Sequence, residues 1–422
     1  MKDILTSRAL HKVNFNILNV IMRVIYRLIA PGSSSSRSFA NSVESHADKS
    51  RASASKEQVP PLKENVFWYP AQSSVPPGNF TPGLIPTLRH ALIKTHAKGA
   101  TTRAMLCHEG ATHVATELWD MGWGCGVCIA SYRNFLMACA ALATQSIQPL
   151  YFPLLDEPIP PGVRNLQCWI EDAWADGFDR EGADQLRHKL VGSKKWIGTG
   201  ELYVAFVSRG IPAQLVDFPG SERGPHAVTE WVMNYFSPTV PNNRPTNAFN
   251  ALRGASPVIC TERMPLILQH AGHSRTIVGI EVNTKGEPNL LVFDPSIRPS
   301  KELRLAGLAN YSPALSASES NNTVGMPSIL NRVLHPHRSK ANTKRQASST
   351  LADRDAKRVR GGLEEESLEE PLDAAKMVNF FRVTLNKLGK NDRYQILYFP
   401  LDIPLGDKER WSRRVVTSER VV

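Results

Sequence analysis

Trp119-Asp120-Met121-Gly122-Trp123-Gly124-Cys125-Gly126 sets one cysteine between two glycines, just ahead of an amphipathic helical pattern. Glycine on both sides permits backbone angles that a Cβ forbids and lets a substrate backbone come close. A helix beginning shortly after the thiol aims free N–H groups and the positive end of its dipole at the sulfur, favouring thiolate over thiol. The stretch therefore reads as a seat for a thiol nucleophile. A buried apolar cysteine is the alternative for any lone cysteine, so the choice rests on partners elsewhere in the chain.

Those partners lie far downstream, in Pro265-Leu266-Ile267-Leu268-Gln269-His270-Ala271-Gly272-His273-Ser274-Arg275-Thr276-Ile277-Val278-Gly279-Ile280-Glu281 and in Asn289-Leu290-Leu291-Val292-Phe293-Asp294-Pro295-Ser296. Both read as apolar strands, with a turn between them near Asn283 to Pro288. In such a hairpin His273, entering the first strand, and Asp294, leaving the second, meet at one end of the sheet. A Cys/His/Asp set follows, in which the carboxylate holds the imidazole tautomer and the imidazole serves the thiol. His270 is a rival base at the other end of the same short loop.

Gly-Trp-Gly-Cys-Gly followed by Tyr132-Arg133-Asn134-Phe135-Leu136-Met137, then Gln269 to Thr276, then Phe293-Asp294-Pro295, resembles the papain-like peptidase family named for ubiquitin-fold-modifier proteases. Trp169 to Trp174, Gly177-Phe178-Asp179, Lys194 to Gly198 and Glu201 resemble its zinc-finger-associated deubiquitinase branch. The likeness runs from about residue 80 to 300, with an echo at Tyr394-Gln395-Ile396-Leu397. It implies a thiol-dependent isopeptidase acting after the C-terminal glycine of ubiquitin or polyubiquitin. Cys125 is then the nucleophile, His273 the general base and acid, and Asp294 the orienting carboxylate. Members that process the ubiquitin-fold modifier place the base two residues after the carboxylate. Here that residue is Ser296, which cannot serve, so the modifier is the alternative substrate and a silent ubiquitin-binding protein the other. The resemblance also marks Asp179 and Glu201 as carboxylates for the arginines of a ubiquitin tail. Trp123 reads either as the wall of a glycine-only channel or as a core side chain. Val127 to Ser131 depart from the pattern, since relatives run directly from glycine into tyrosine. Five extra residues span on the order of 17 Å if extended, which keeps Cys128 in play as a rival nucleophile.

The chain has 422 residues, six cysteines and a net charge of +11. Only Cys125 and Cys128 are closely spaced, and no secretory signal is read, which favours a reducing compartment over a disulfide scaffold. A zinc site needs a second ligand pair, and His113 lies beside a charged, helix-like stretch, so neither metal nor cofactor is expected. No zinc finger or ubiquitin-interacting helix is read ahead of the thiol. Basic residues from Arg332 to Arg360 suit a nuclear-import signal or loose nucleic-acid contact, with residence in nucleus and cytoplasm; a solvated insert is the alternative.

Helices first and sheet later is an α+β arrangement, which the resemblance makes a papain-like cysteine peptidase fold. Residues 1–60 read as a disordered or targeting tail, in which Arg23 and Arg27 argue against a membrane span. Residues 61–311 form the peptidase core, 312–370 a disordered charged insert, 371–402 the core's C-terminal part and 403–422 a basic tail. Ser131 reads as the N-cap of the helix after the thiol, Cys139 as a buried apolar residue on it, and Ala183 to Leu190 as a helix.

Overall fold

The computed structural model describes residues 65–72, 74–117, 130–218, 220, 223–237, 256–311, 373–391 and 393–421. Cys125, Trp123 and Cys128, the 1–60 tail and the 312–370 insert lie outside them.

In chain order the elements are β1 (Phe80–Thr81), α1 (Leu84–Ala97), β2 (Thr101–Leu106), β3 (His113–Val114), α2 (Ala130–Thr144), α3 (Tyr151–Asp156), α4 (Val163–Ala175), α5 (Arg180–Gln185), α6 (Thr199–Ser208), β4 (Gln214–Phe218) and α7 (Gly224–Phe236). Then come β5 (Val258–Cys260), β6 (Leu266–His270), β7 (His273–Asn283), β8 (Pro288–Phe293), α8 (Lys301–Tyr311), α9 (Ala374–Phe381), β9 (Arg382–Val383), α10 (Leu385–Leu388), β10 (Tyr394–Tyr398), α11 (Asp407–Ser412) and β11 (Ser418–Arg420).

Helical elements dominate the first half and a mixed sheet the second, the α+β papain-like peptidase fold. Among the described residues the sheet runs β11-β4-β10-β6-β7-β2-β5, with β8 and then β9 branching from β7. β7 is its spine, because Ile277, Val278 and Ile280 are buried and it pairs with β2, β6 and β8. Every residue of α2 except Thr144 is buried, as expected of a helix enclosed on all sides. It packs against β6 and β7 and also against α3, α4 and α6, which puts it between the sheet and the helical layer.

Three local expectations change. Ser131 is no N-cap: it lies within α2, where its buried hydroxyl turns to Ser274, 3.1 Å away. The helix expected over Ala183 to Leu190 is shorter and earlier, because Arg187 and His188 take positive φ (51° and 50°), which ends α5. His113 belongs to a strand, pairing with Thr81. The segment from 403 contributes α11 and β11 to the fold, β11 lying parallel to β4.

Candidate active site

The β6–β7 hairpin pairs His270 with His273 across Ala271-Gly272, and Gly272 takes φ 79°, the left-handed region that glycine enters without steric cost. On the other edge of β7, Thr276 faces Phe293 of β8. Carrying that antiparallel register one residue further sets Arg275 opposite Asp294, with His273 two residues along on the same face. Side-chain contacts follow the backbone. His273 Nε2 lies 3.1 Å from both carboxylate oxygens of Asp294, and Arg275 Nε donates to Oδ2 at 2.7 Å. The main-chain N–H of Ser296 donates to Oδ1 at 3.0 Å, and its hydroxyl donates to the same oxygen at 2.5 Å. Burial by itself raises the pKa of this carboxyl, but bonds from His273, Ser296 and Arg275 outweigh it and hold the pKa well below the carboxylate range.

A carboxylate can only accept, so His273 donates through Nε2, and Nδ1 is the nitrogen left to take a proton from a thiol. His270 is differently placed. Its Nε2 accepts from Arg275 at 3.0 Å, and Nδ1 lies 3.1 Å from the Ala271 carbonyl, so both nitrogens are engaged. Burial lowers its pKa, and the Arg275 and His273 charges lower it further. Arg275 thus separates the two histidines chemically, pairing one and sparing the other.

The chain that carries the thiol loop is anchored at both ends. Before the loop, His113 Nε2 meets the Asp294 carbonyl at 3.0 Å, and Thr116 N–H donates to the Pro295 carbonyl at 2.8 Å. After it, Asn134 Nδ2 donates to Ser274 Oγ at 2.9 Å and Thr276 Oγ1 donates to Asn134 Oδ1 at 2.8 Å, all buried. Arg133, buried on α2, pairs with Glu117 at 3.6 Å and so links the two ends directly. One anchor grips the turn holding Asp294 and the other the strand holding His273. The four described cysteines, Cys107, Cys139, Cys168 and Cys260, all have thiols pushed up by burial, Cys260 to about 12, so none of them is activated.

His113 is fully buried, and burial depresses its pKa to about 4 against the pull of the Asp294 carbonyl and carboxylate. Donating Nε2–H to the carbonyl leaves Nδ1 buried without a partner among the described residues. The unfolded ring protonates near 6.5 and the folded ring near 4, so the unfolded state binds more protons in that window. Stability present above pH 6.5 therefore drains as the pH falls toward 4, by on the order of 3 kcal/mol. His113→Phe should flatten the dependence of the urea midpoint on pH between 7 and 4.5; a profile parallel to the wild type would exclude His113 as the cause.

Asp179 and Glu201 are not free surface acids. Asp179 is the N-cap of α5 at φ 42°, its carboxylate accepting from Gly182 N–H at 3.2 Å. Glu201 reaches back to the Gly198 N–H at 2.6 Å and so caps the start of α6 from its third position, without a return bond because Gly198 has no side chain. Burial raises both pKa values, and the Asp179 charge raises that of Glu201 further, so the two carboxylates share one surface. Charge reversal at either position therefore removes a cap as well as a charge: Asp179→Arg and Glu201→Arg should each cost about 1–2 kcal/mol of stability. Asp179→Asn and Glu201→Gln keep the caps and remove the charges. Thermal melts within a degree or two of wild type are expected for these isosteres, against clear losses for the arginine variants; equal melting of all four would contradict the capping roles.

Trp196 lies within the Lys194 to Gly198 motif. It is 55% exposed and, with Ile197, Ser131, Gln269 and His273, lines a small cleft of about 40 Å³ beside the histidine. A solvent-facing tryptophan there offers an apolar wall for a peptide tail. The run Lys194-Lys195-Trp196 carries the signal, a large aromatic directly after two lysines. Among the described residues no group of three or more His, Cys, Asp or Glu side chains is arranged to hold a metal. No described helix is long and apolar enough to cross a membrane.

A buried carboxylate–imidazole pair on a hairpin, with the opening of a thiol-bearing segment clamped beside it, is the framework of a papain-like cysteine peptidase. The family model described as Peptidase family C78 matches residues 100–322, just over half of the chain, and the chain belongs to that family. It is 38% identical over 195 residues to the zinc finger-containing ubiquitin peptidase 1 of Rattus norvegicus, covering 46% of this chain and 30% of that protein. It is 28% identical over 194 residues to the ubiquitin carboxyl-terminal hydrolase mug105 of Schizosaccharomyces pombe, covering 46% of this chain and 67% of that protein. The solved structure of UfSP from C. elegans is 16% identical, covers 49% of this chain and 30% of that one, and superposes with a TM-score of 0.26. The chain spans less than a third of the length of the rat relative.

Proposed function

We propose that this protein is a cysteine deubiquitinase of the zinc-finger-associated branch, hydrolysing the isopeptide bond after the C-terminal glycine of ubiquitin, with polyubiquitin as a substrate. The observation that carries the reading is the His273–Asp294 pair, with Nε2 turned to the carboxylate and Nδ1 left for a thiol. Cys125 supplies that thiol. Its thiolate attacks the glycine carbonyl, the lysine amine leaves with a proton from His273, and water hydrolyses the acyl-enzyme with His273 as base. Asp294 holds the ring and stays ionised throughout, since its carboxyl is anchored by Ser296 and Arg275 as well. The Cys125 N–H donates to the oxyanion. Trp196 and Trp123 flank the tail, and Asp179 and Glu201 present to its arginines whatever carboxylate lone pairs their caps leave free.

Ser296 is the observation against the ubiquitin-fold modifier as substrate. Where the other layout has a base, this side chain donates to Asp294. Reaction with probes carrying a thiol-reactive group at the C-terminus of ubiquitin, or of the modifier, tests the proposal. Labelling by the ubiquitin probe, with the adduct mapped to Cys125 by mass spectrometry, is the expected result. Attachment at Cys128, or labelling by the modifier alone, would overturn the assignment, and ubiquitin binding without labelling would mark a silent binder. We further propose nuclear and cytoplasmic residence through the basic cluster Arg332 to Arg360, which deletion of residues 312–370 would test by redistribution of the protein.

A further inference from the structure

Beyond His270 the end of the sheet opens into a second cavity, of about 540 Å³, lined by Asp217, Gln269, His270, Arg393, Gln395 and Arg420 among others. Gln269 and His270 also line the cleft at His273, so the cavity adjoins the candidate active site across a shared wall. Sheet order explains the arrangement. β4, β10 and β6 are neighbours, and β11 adds parallel to β4 with Arg420 in register with Asp217. The last residues of β4, β6 and β11 and the residue before β10 therefore converge at one edge.

The cavity's charge is lopsided. Neither the Arg393 nor the Arg420 guanidinium has a hydrogen bond or ion pair among the described residues, and both side chains are exposed. Asp217 is the one carboxylate among the lining residues, and both its oxygens are taken. Gln395 Nε2 donates to Oδ1 at 2.6 Å, and the Ser418 hydroxyl donates to Oδ2. His270 adds no charge, since its Nε2 accepts from Arg275 and burial disfavours its protonated form. Two uncommitted guanidinium forks, facing a single carboxylate whose oxygens are already bonded, make a site for carboxylates.

We propose that this cavity binds an acidic stretch of the protein from which the modifier is cleaved, next to the modified lysine. The substrate's identity rests on the deubiquitinase reading; the anion preference rests on the cavity. Its sign separates it from the tail contacts, because Asp179 and Glu201 present carboxylates to the modifier's basic tail whereas Arg393 and Arg420 present cations. An acidic segment thus fits the leaving side of the scissile bond.

The test uses the full chain and three substrates: ubiquitin isopeptide-linked to a peptide with glutamates on both sides of the lysine, the same conjugate with serines there, and ubiquitin aminomethylcoumarin. Wild-type kcat/KM should favour the acidic over the serine conjugate by about tenfold at low salt, two partly exposed charge contacts being involved. That ratio should shrink toward one in 0.5 M salt and in the double variant R393Q/R420Q. A wild-type ratio near one, with the coumarin substrate still hydrolysed, would overturn the inference and leave the proposed activity standing. Absence of hydrolysis on all three substrates would instead overturn the activity. The cavity is then judged by fluorescence anisotropy of the labelled acidic peptide alone: loss of binding in R393Q/R420Q supports the site, and binding equal to wild type excludes it.

Discussion

His273→Ala should lower kcat/KM on a ubiquitin C-terminal reporter by at least ~100-fold, the typical cost of losing a general base, while His270→Ala should keep most of the rate. The two rings stand only 6.0 Å apart, so proximity to the site does not separate them; their hydrogen bonds do. His270 has one nitrogen filled by Arg275 and the other turned to the Ala271 carbonyl, so it has no lone pair to offer a thiol. His273 keeps Nδ1 open because Asp294 engages Nε2 from 3.1 Å. His270→Ala frees Arg275 Nη1 but leaves its Nε bond to Asp294, so a modest decrease is expected from looser positioning. Asp294→Ala should fall nearer to His273→Ala, since ring, guanidinium and Ser296 all lose one anchor. Equal losses in the two histidine variants, read alongside unchanged thermal melts, would transfer the base role or divide it.

The difference between what the chain announces and what it conceals follows the range of the interactions. His273 and Asp294 were legible because a period-two apolar pattern on either side of a turn fixes which residues leave the sheet at the same end, a local argument. The meeting of Arg275 with Asp294 is the same register carried one step further, yet the motif alone does not say which partner the guanidinium takes. Ser296 was read for what it cannot do, and its two bonds to Asp294 depend on the turn after β8. Capping by Asp179 and Glu201 was within reach, since an acid three residues beyond Gly198 is the capping-box position. What no local pattern announces is strand order: β10 lies between β4 and β6, far from both in sequence, and so builds the cavity edge beside the candidate site. Pairing at that range is decided by the collective burial of Leu215, Leu268, Ile396 and Leu397. The seat of Cys125 is framed by its anchors alone, through the bonds of Thr116 and Asn134.

Arg382→Ala should cost about 3–5 kcal/mol in urea unfolding, the usual penalty for stranding a buried charge. Glu281 on β7 has no solvent exposure, and its carboxylate accepts from Arg382 Nε and Nη2, each at 2.8 Å, and from the Thr101 hydroxyl at 2.6 Å. Thr101 in turn meets the Thr95 hydroxyl at 2.8 Å, and Arg382 also donates to Asn379 at 2.5 Å. One buried charge thereby ties α1, β2, β7 and β9 together, and it joins the chain following residue 372 to the strand that carries His273. Removing the guanidinium leaves the carboxylate with a single neutral donor, too little to offset its lost hydration. Replacing both charges, Glu281→Leu with Arg382→Leu, should recover much of the loss, because a well-packed apolar pair avoids the desolvation of both ions. A single-variant loss below about 1 kcal/mol would show that water reaches Glu281 when the arginine leaves. A double variant as unstable as the single would show instead that the contacts of Asn379 and Thr101, and not the stranded charge, hold β9 to the sheet.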